Sequence, residues 1–143
     1  MNDINLAAPC GMYCGTCRSY LILKKNLFEE KGRKNGCKGC RIRNKNCSFI
    51  KRDCALIRKN EINFCYECDS FPCSNLKKID ERYTERYNVS FVQNLKRLQE
   101  IGLEQWFKEK ESLYRCAECG GEICVHDAEC FDCGKKVNPN LKN

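Results

Sequence analysis

Fifteen cysteines in a chain of 143 residues constrain this molecule more than any other feature. They make up roughly a tenth of the chain, far above ordinary globular usage. With cysteine set aside, about 31% of the residues remain for conventional apolar packing, a thin core for so polar a sequence. A chain that buries too little apolar surface is stapled by disulfides or by metal, and the redox compartment decides which. Residues 1–20 lack the basic start, long apolar run and cleavage site of a secretory signal. Leu6-Ala7-Ala8-Pro9-Cys10 has a faint likeness to a lipoprotein site, but nothing basic precedes it. No stretch approaches the roughly 18 apolar residues of a membrane span. The expectation is a cytoplasmic protein with no membrane partner, in which paired cysteines signify metal or redox chemistry before disulfides.

The cysteines fall into two blocks, ten from Cys10 to Cys73 and five from Cys116 to Cys133, with 42 cysteine-free residues between them. The first block is punctuated by Gly11, Gly15, Gly32, Gly36, Gly39 and Pro72, so loops dominate it, with one short amphipathic helix expected over Ser19 to Glu30. The middle segment has helical periodicity. Leu76, Ile79, Tyr83 and Tyr87 share a face behind Ser74 as N-cap, and Phe91, Leu95 and Leu98 follow Ser90. Gly102 is a stop signal, and Leu103, Trp106, Phe107 and Leu113 mark a third helix whose aromatics read as core. The predicted organisation is a cysteine-rich metal-binding domain over 1–75, a helical segment over 76–113, a zinc ribbon over 114–137 and a disordered tail over 138–143. The fold class is small α+β, stabilised by metal.

Cys116, Cys119, Cys130 and Cys133 form two CxxC pairs separated by ten residues. That is zinc-ribbon spacing, in which each pair aims two sulfurs at one tetrahedral ion. Gly120 and Gly134 follow the pairs, where a tight turn can direct backbone N–H groups at sulfur. Cys124 and His126 lie between the pairs and either replace a ligand or pack nearby. In the first block, Cys37, Cys40, Cys47 and Cys54 are spaced closely enough to close one site. A binuclear six-cysteine cluster would need a further cysteine where Ile57 stands. Cys14 and Cys17 joined to Cys65 and Cys68 would make another tetrathiolate, leaving Cys10 and Cys73 as alternates, structural thiols or members of a binuclear cluster. The expected cofactor is about three zinc ions, with an iron–sulfur cluster in the first block as the alternative, because four-thiolate sites suit both. Cys10, Cys14 and Cys17 also match the spacing of radical S-adenosylmethionine enzymes, but residues 18–75 offer no alternating strands and helices to build the barrel those enzymes need.

CGMYCGTC at 10–17, CKGC at 37–40, IRKNEINFCYECDSFPC at 57–73 and the stretch from Trp106 to the ribbon resemble a family of uncharacterised, cysteine-rich bacterial and archaeal proteins. Members carry the label of domain of unknown function, with zinc binding inferred from their cysteines. The resemblance implies metal binding and no assigned activity.

The formal charge of +7 is uneven: Arg18 to Lys59 carries 14 basic and 3 acidic side chains, and Glu61 to the end 12 and 15. A basic half is the electrostatic footprint of a nucleic-acid binder, here over residues 38–59 with Lys38, Arg41, Arg43, Lys45, Lys51 and Arg52. The same residues also serve to neutralise thiolate sites, each about −2 with its zinc, so three sites bring the molecule near +1. A protein partner for the ribbon is the other expectation. Hydrolytic zinc sites favour histidine and carboxylate ligands with an open position, and His126 is the only histidine here. No HExxH, GxSxG, P-loop or GxGxxG motif is present. An enzyme is therefore not expected. Thiol redox chemistry at Cys10, Cys73 or Cys124 is the competing class.

Overall fold

A computed structural model describes residues 4–38, 54–59 and 61–137. Cys40 and Cys47, most of the basic 38–59 run and the expected 138–143 tail lie outside the described residues. The elements are α1 (Arg18–Lys25), α2 (Ala55–Arg58), α3 (Ser74–Tyr87), α4 (Phe91–Ile101), α5 (Leu103–Leu113), β1 (Ile123–Cys124) and β2 (Glu129–Cys130). Single 3-10 turns cover Ile4–Leu6, Cys14–Thr16 and Cys65–Glu67. This is a small α+β fold.

Helix α1 is shorter than the expected Ser19–Glu30. Asn26 takes the left-handed conformation at φ 52°, and the Leu27 N–H returns to the Ile22 carbonyl at 2.9 Å, which closes the helix. Cys73 rather than Ser74 is the N-cap of α3, and Ser74 is its first helical residue. Ser90 caps α4 as expected: its hydroxyl accepts the Gln93 N–H at 3.2 Å and donates to Asp80 of α3 at 2.8 Å. That pair of bonds locks the α3–α4 corner. Gly102, at φ 86°, separates α4 from α5.

The amphipathic faces meet in one core. Phe91, Leu95, Leu76, Trp106 and Phe107 are buried there together with Ile123, Val125 and Cys130 of the ribbon and with Ala7, Cys10, Met12 and Tyr13 of the N-terminal hairpin. The Tyr13 ring meets Trp106 edge-on at 6.0 Å and Phe107 at 6.1 Å, so the aromatic pair of α5 is core, as its spacing predicts. At the hairpin tip Gly11 has φ 97°, and a Cβ there would stand 2.7 Å from the Phe91 carbonyl oxygen. Only glycine allows the Cys10 turn to lie against α4. The Asn94 amide then donates to the Gly11 carbonyl at 3.0 Å and fixes the turn.

A second, smaller apolar cluster joins Leu21 and Ile22 of α1 to Cys124 and Phe131 of the ribbon. Around it, Lys24 reaches Glu122 at 2.8 Å, Lys25 reaches Asp132 at 2.8 Å and Lys31 reaches Glu129 at 3.0 Å. Four basic residues of the N-terminal half, Arg18 included, are thus paired with acidic partners on the ribbon. No helix among the described residues is long and apolar enough to cross a membrane.

Candidate metal centre

The ribbon is a β1–β2 antiparallel pair, Ile123 opposite Cys130 and Cys124 opposite Glu129, carrying two matched knuckles. In the first, the Cys116 N–H donates to the Gly121 carbonyl at 2.8 Å and the Gly120 N–H to the Cys116 carbonyl at 2.9 Å. In the second, Cys130 donates to Lys135 at 2.9 Å and Gly134 to Cys130 at 2.9 Å. Gly120 at φ 74° and Gly134 at φ 80° occupy equivalent left-handed positions that a side chain would strain. Their identical loop chemistry is why the two CxxC segments fold alike.

These knuckles bring the sulfurs of Cys116, Cys119, Cys130 and Cys133 together, all four within 4.8 Å of one another. The Cys116–Cys133 separation is 3.7 Å and the Cys119–Cys130 separation 3.5 Å. A disulfide would need about 2.05 Å. A tetrahedral ion with metal–sulfur bonds of about 2.3 Å has sulfur–sulfur edges of about 3.8 Å, which the observed spacings match. Backbone N–H groups support the sulfurs: Gly121 donates to Cys119 at 3.3 Å, and Asp132 and Cys133 donate to Cys130 at 3.3 and 3.5 Å. Such bonds favour thiolate and are the usual outer support of a metal thiolate.

The electrostatics of the four thiols calls for a cation. Backbone N–H groups of Cys119 and Glu118 hold the Cys116 thiol down to about 7. For Cys119 the Gly121 N–H also lowers the value, but Cys130 and the other crowded sulfurs outweigh it and push the thiol up to about 12. Four adjacent thiolates repel one another, and a bound dication removes that penalty. Cys116 and Cys130 are buried, whereas Cys119 and Cys133 are exposed, so the group lies at the surface of the fold.

His126 and Cys124 stand apart from this group. The Arg18 backbone N–H donates to His126 Nδ1 at 3.2 Å. Nδ1 is therefore the acceptor, and Nε2–H faces the Tyr83 hydroxyl at 3.1 Å. Burial, then the Arg18 guanidinium, pushes His126 down to about 4. With both ring nitrogens engaged, the histidine is a bolt between the ribbon, α1 and α3. Asp127 beside it accepts from Arg18 Nε at 2.8 Å. Cys124 is fully buried, and burial outweighs the N–H groups of Asp127 and His126 to push its thiol up to about 11.

In the first block, the Cys14–Thr16 and Cys65–Glu67 turns are each closed by a CxxC bond: Cys17 N–H to the Cys14 carbonyl at 3.0 Å, and Cys68 N–H to the Cys65 carbonyl at 3.2 Å. A family model described as "Protein of unknown function (DUF3795)" matches residues 6–78, half of the chain. The chain belongs to the DUF3795 family. No curated protein and no solved structure matches it.

The DUF3795 segment takes in every cysteine from Cys10 to Cys73 and ends before the ribbon, a narrower extent than the resemblance in sequence, which ran on to Cys133. Within it Cys10, Cys14, Cys37 and Cys65 are buried, and Cys17, Cys54, Cys68 and Cys73 are partly buried. The expected Cys37–Cys54 site lies largely outside the described residues. Among the described residues, only the ribbon has three or more potential ligand atoms mutually within 4.8 Å. The DUF3795 segment is bound to the ribbon by the Val125 N–H, which donates to the Thr16 carbonyl at 2.9 Å. Missed in the sequence reading were the lysine and arginine partners of Glu122, Asp127, Glu129 and Asp132 and the His126–Tyr83 bond. The signal available was the opposite charge of the two halves.

Proposed function

We propose that this protein binds zinc, with one structural ion in the ribbon and about two more held by the ten cysteines of the DUF3795 segment, and that it serves as a nucleic-acid-binding module. The observation that carries the metal reading is the group of four sulfurs on tetrahedral edges. Four protein thiolates leave no open coordination position, which favours a structural over a hydrolytic ion. Sulfur–sulfur separations of 3.5 and 3.7 Å also favour one ion over a polynuclear cluster, whose thiolates sit on separate irons.

The nucleic-acid reading rests on what remains of the basic half once the ribbon has taken its share. Arg33, Lys34, Lys38 and Lys59 are exposed and flank the basic run from Arg41 to Arg52. Phosphate contacts of this kind weaken steeply with salt. Fluorescence anisotropy with single-stranded and duplex RNA and DNA oligonucleotides tests it. Affinity should fall more than ~10-fold between about 50 and 200 mM salt, and charge removal at Arg33, Lys34 and Lys38 should flatten the slope. Absence of binding at low salt, or binding indifferent to salt, refutes this role and directs attention to a protein partner.

A further inference from the structure

A cavity of about 440 Å³ opens between α4, α5 and the corner that joins α3 to α4. Val89, Leu113 and Tyr114 supply its apolar wall. Its charged lining residues are Arg97, Glu109 and Lys110, and the first two cancel. Arg97 Nε donates to Glu109 Oε2 at 3.2 Å, and a second guanidinium nitrogen donates to Oε1 of the same carboxylate. Lys110 is the charge that remains. It is partly buried, its ammonium donates to Asn94 Oδ1 at 2.8 Å, and Nζ stands 5.7 Å from the centre of the Trp106 ring. Among the described residues no carboxylate pairs with it. Asn94 has nothing more to offer. Its amide nitrogen donates to the Gly11 carbonyl at 3.0 Å, so Oδ1 is fixed toward the lysine, and one neutral acceptor serves an ammonium with three N–H donors.

We propose that this cavity is a binding site for a small organic carboxylate, whose oxygens accept from Lys110 Nζ while an apolar body lies against Val89, Leu113 and Tyr114. The volume falls within the roughly 300–1,000 Å³ of small-molecule sites, and the division into an apolar wall and one polar anchor is their usual make-up. A single negative charge balances the one net positive charge of the lining. An ammonium taken out of water without a counter-charge is unfavourable, and a carboxylate in hydrogen-bond contact relieves that penalty. Burial accordingly pushes the Lys110 amine below the ordinary lysine value. No described cysteine lines the cavity, so the site stands apart from the metal and nucleic-acid readings.

The test is an NMR titration of the ¹⁵N-labelled full chain with benzoate and hexanoate. Benzyl alcohol serves as the neutral counterpart and inorganic phosphate as an anion without an apolar body. The expected result is saturable shifts of the Gln93, Asn94, Lys110 and Tyr114 amides with both carboxylates. Lys110→Met keeps the aliphatic stem and removes the charge, and should weaken binding at least ~10-fold. Lys108→Met, at an exposed position of the same helix outside the cavity, should leave it unchanged. Gln93→Trp crowds the exposed rim with Lys110 intact and should also weaken binding. The amide spectrum of each variant shows directly whether it is folded. Absence of saturable shifts, an equal response to benzyl alcohol or to inorganic phosphate, or unchanged binding in Lys110→Met overturns the proposal.

Discussion

Replacing His126 with glutamine should make the stability of this protein less sensitive to acid. In the folded state the ring is neutral, accepting from the Arg18 N–H and facing the Tyr83 hydroxyl, and burial followed by the Arg18 charge depresses its pKa from 6.5 to about 4. The folded state thus binds the proton less tightly than the unfolded chain. The neutral bolt contributes fully above pH 6.5, and its contribution is lost progressively as pH falls toward 4. Between about pH 7.5 and pH 5 the difference in proton binding amounts to about 2 kcal/mol at 1.36 kcal/mol per pH unit. Glutamine can accept from Arg18 and donate to Tyr83 but does not titrate. It forfeits the edge-on contacts with Tyr83 and Tyr87, at ring separations of 5.8 and 5.0 Å, a loss of about 1 kcal/mol at neutral pH. The assay is urea unfolding of His126→Gln and the parent at both pH values. Acid-driven metal release affects both proteins and cancels in the comparison. The parent should lose about 2 kcal/mol more than the variant on acidification, so that their order reverses and the variant is the more stable by about 1 kcal/mol at pH 5. Equal losses would refute the assigned role of His126.

The core and the knuckles give further expectations. Trp106→Ala, at a fully buried position in contact with Tyr13 and Phe107, should cost about 3–5 kcal/mol and lower the melting temperature well beyond Leu113→Ala at the partly buried end of the same helix. Gly121→Ala would drive a Cβ into the Asp132 carboxylate, which accepts the Glu122 N–H at 2.8 Å, and should cost about 1–3 kcal/mol in thermal unfolding without removing a sulfur. Lys25→Glu places a third carboxylate against Asp132 and Glu122, and should lower the melting temperature more than Lys25→Ala, with the gap narrowing at high salt.

Much of this architecture is readable residue by residue. The CxxC pairs with trailing glycines specify the knuckles because a metal thiolate demands local geometry, and local geometry is what a short spacing encodes. The helices of the middle segment follow their apolar periodicity, and Ser90 and Gly102 mark boundaries by caps that act within one turn. The end of α1 is not legible in the sequence because Asn26 stops it in the left-handed conformation without a glycine or proline. The tertiary use of charge was also hidden. Lys24, Lys25 and Lys31 pair with Glu122, Asp132 and Glu129 across some 98–107 positions, separations at which no periodicity operates. For the same reason spacing pairs Cys65 with Cys68, as the fold does, but does not reveal that the fold also sets Cys65 against Pro9, next to Cys10.

Metal content of the ribbon variant tests the central claim most directly. Anaerobically purified parent protein and the Cys119→Ser, Cys133→Ser double variant should be compared by elemental analysis alongside their visible spectra. The account predicts that the variant contains one zinc per chain fewer than the parent, with the metal of the DUF3795 segment retained. Equal zinc contents, or iron as the metal lost from the variant, would contradict it.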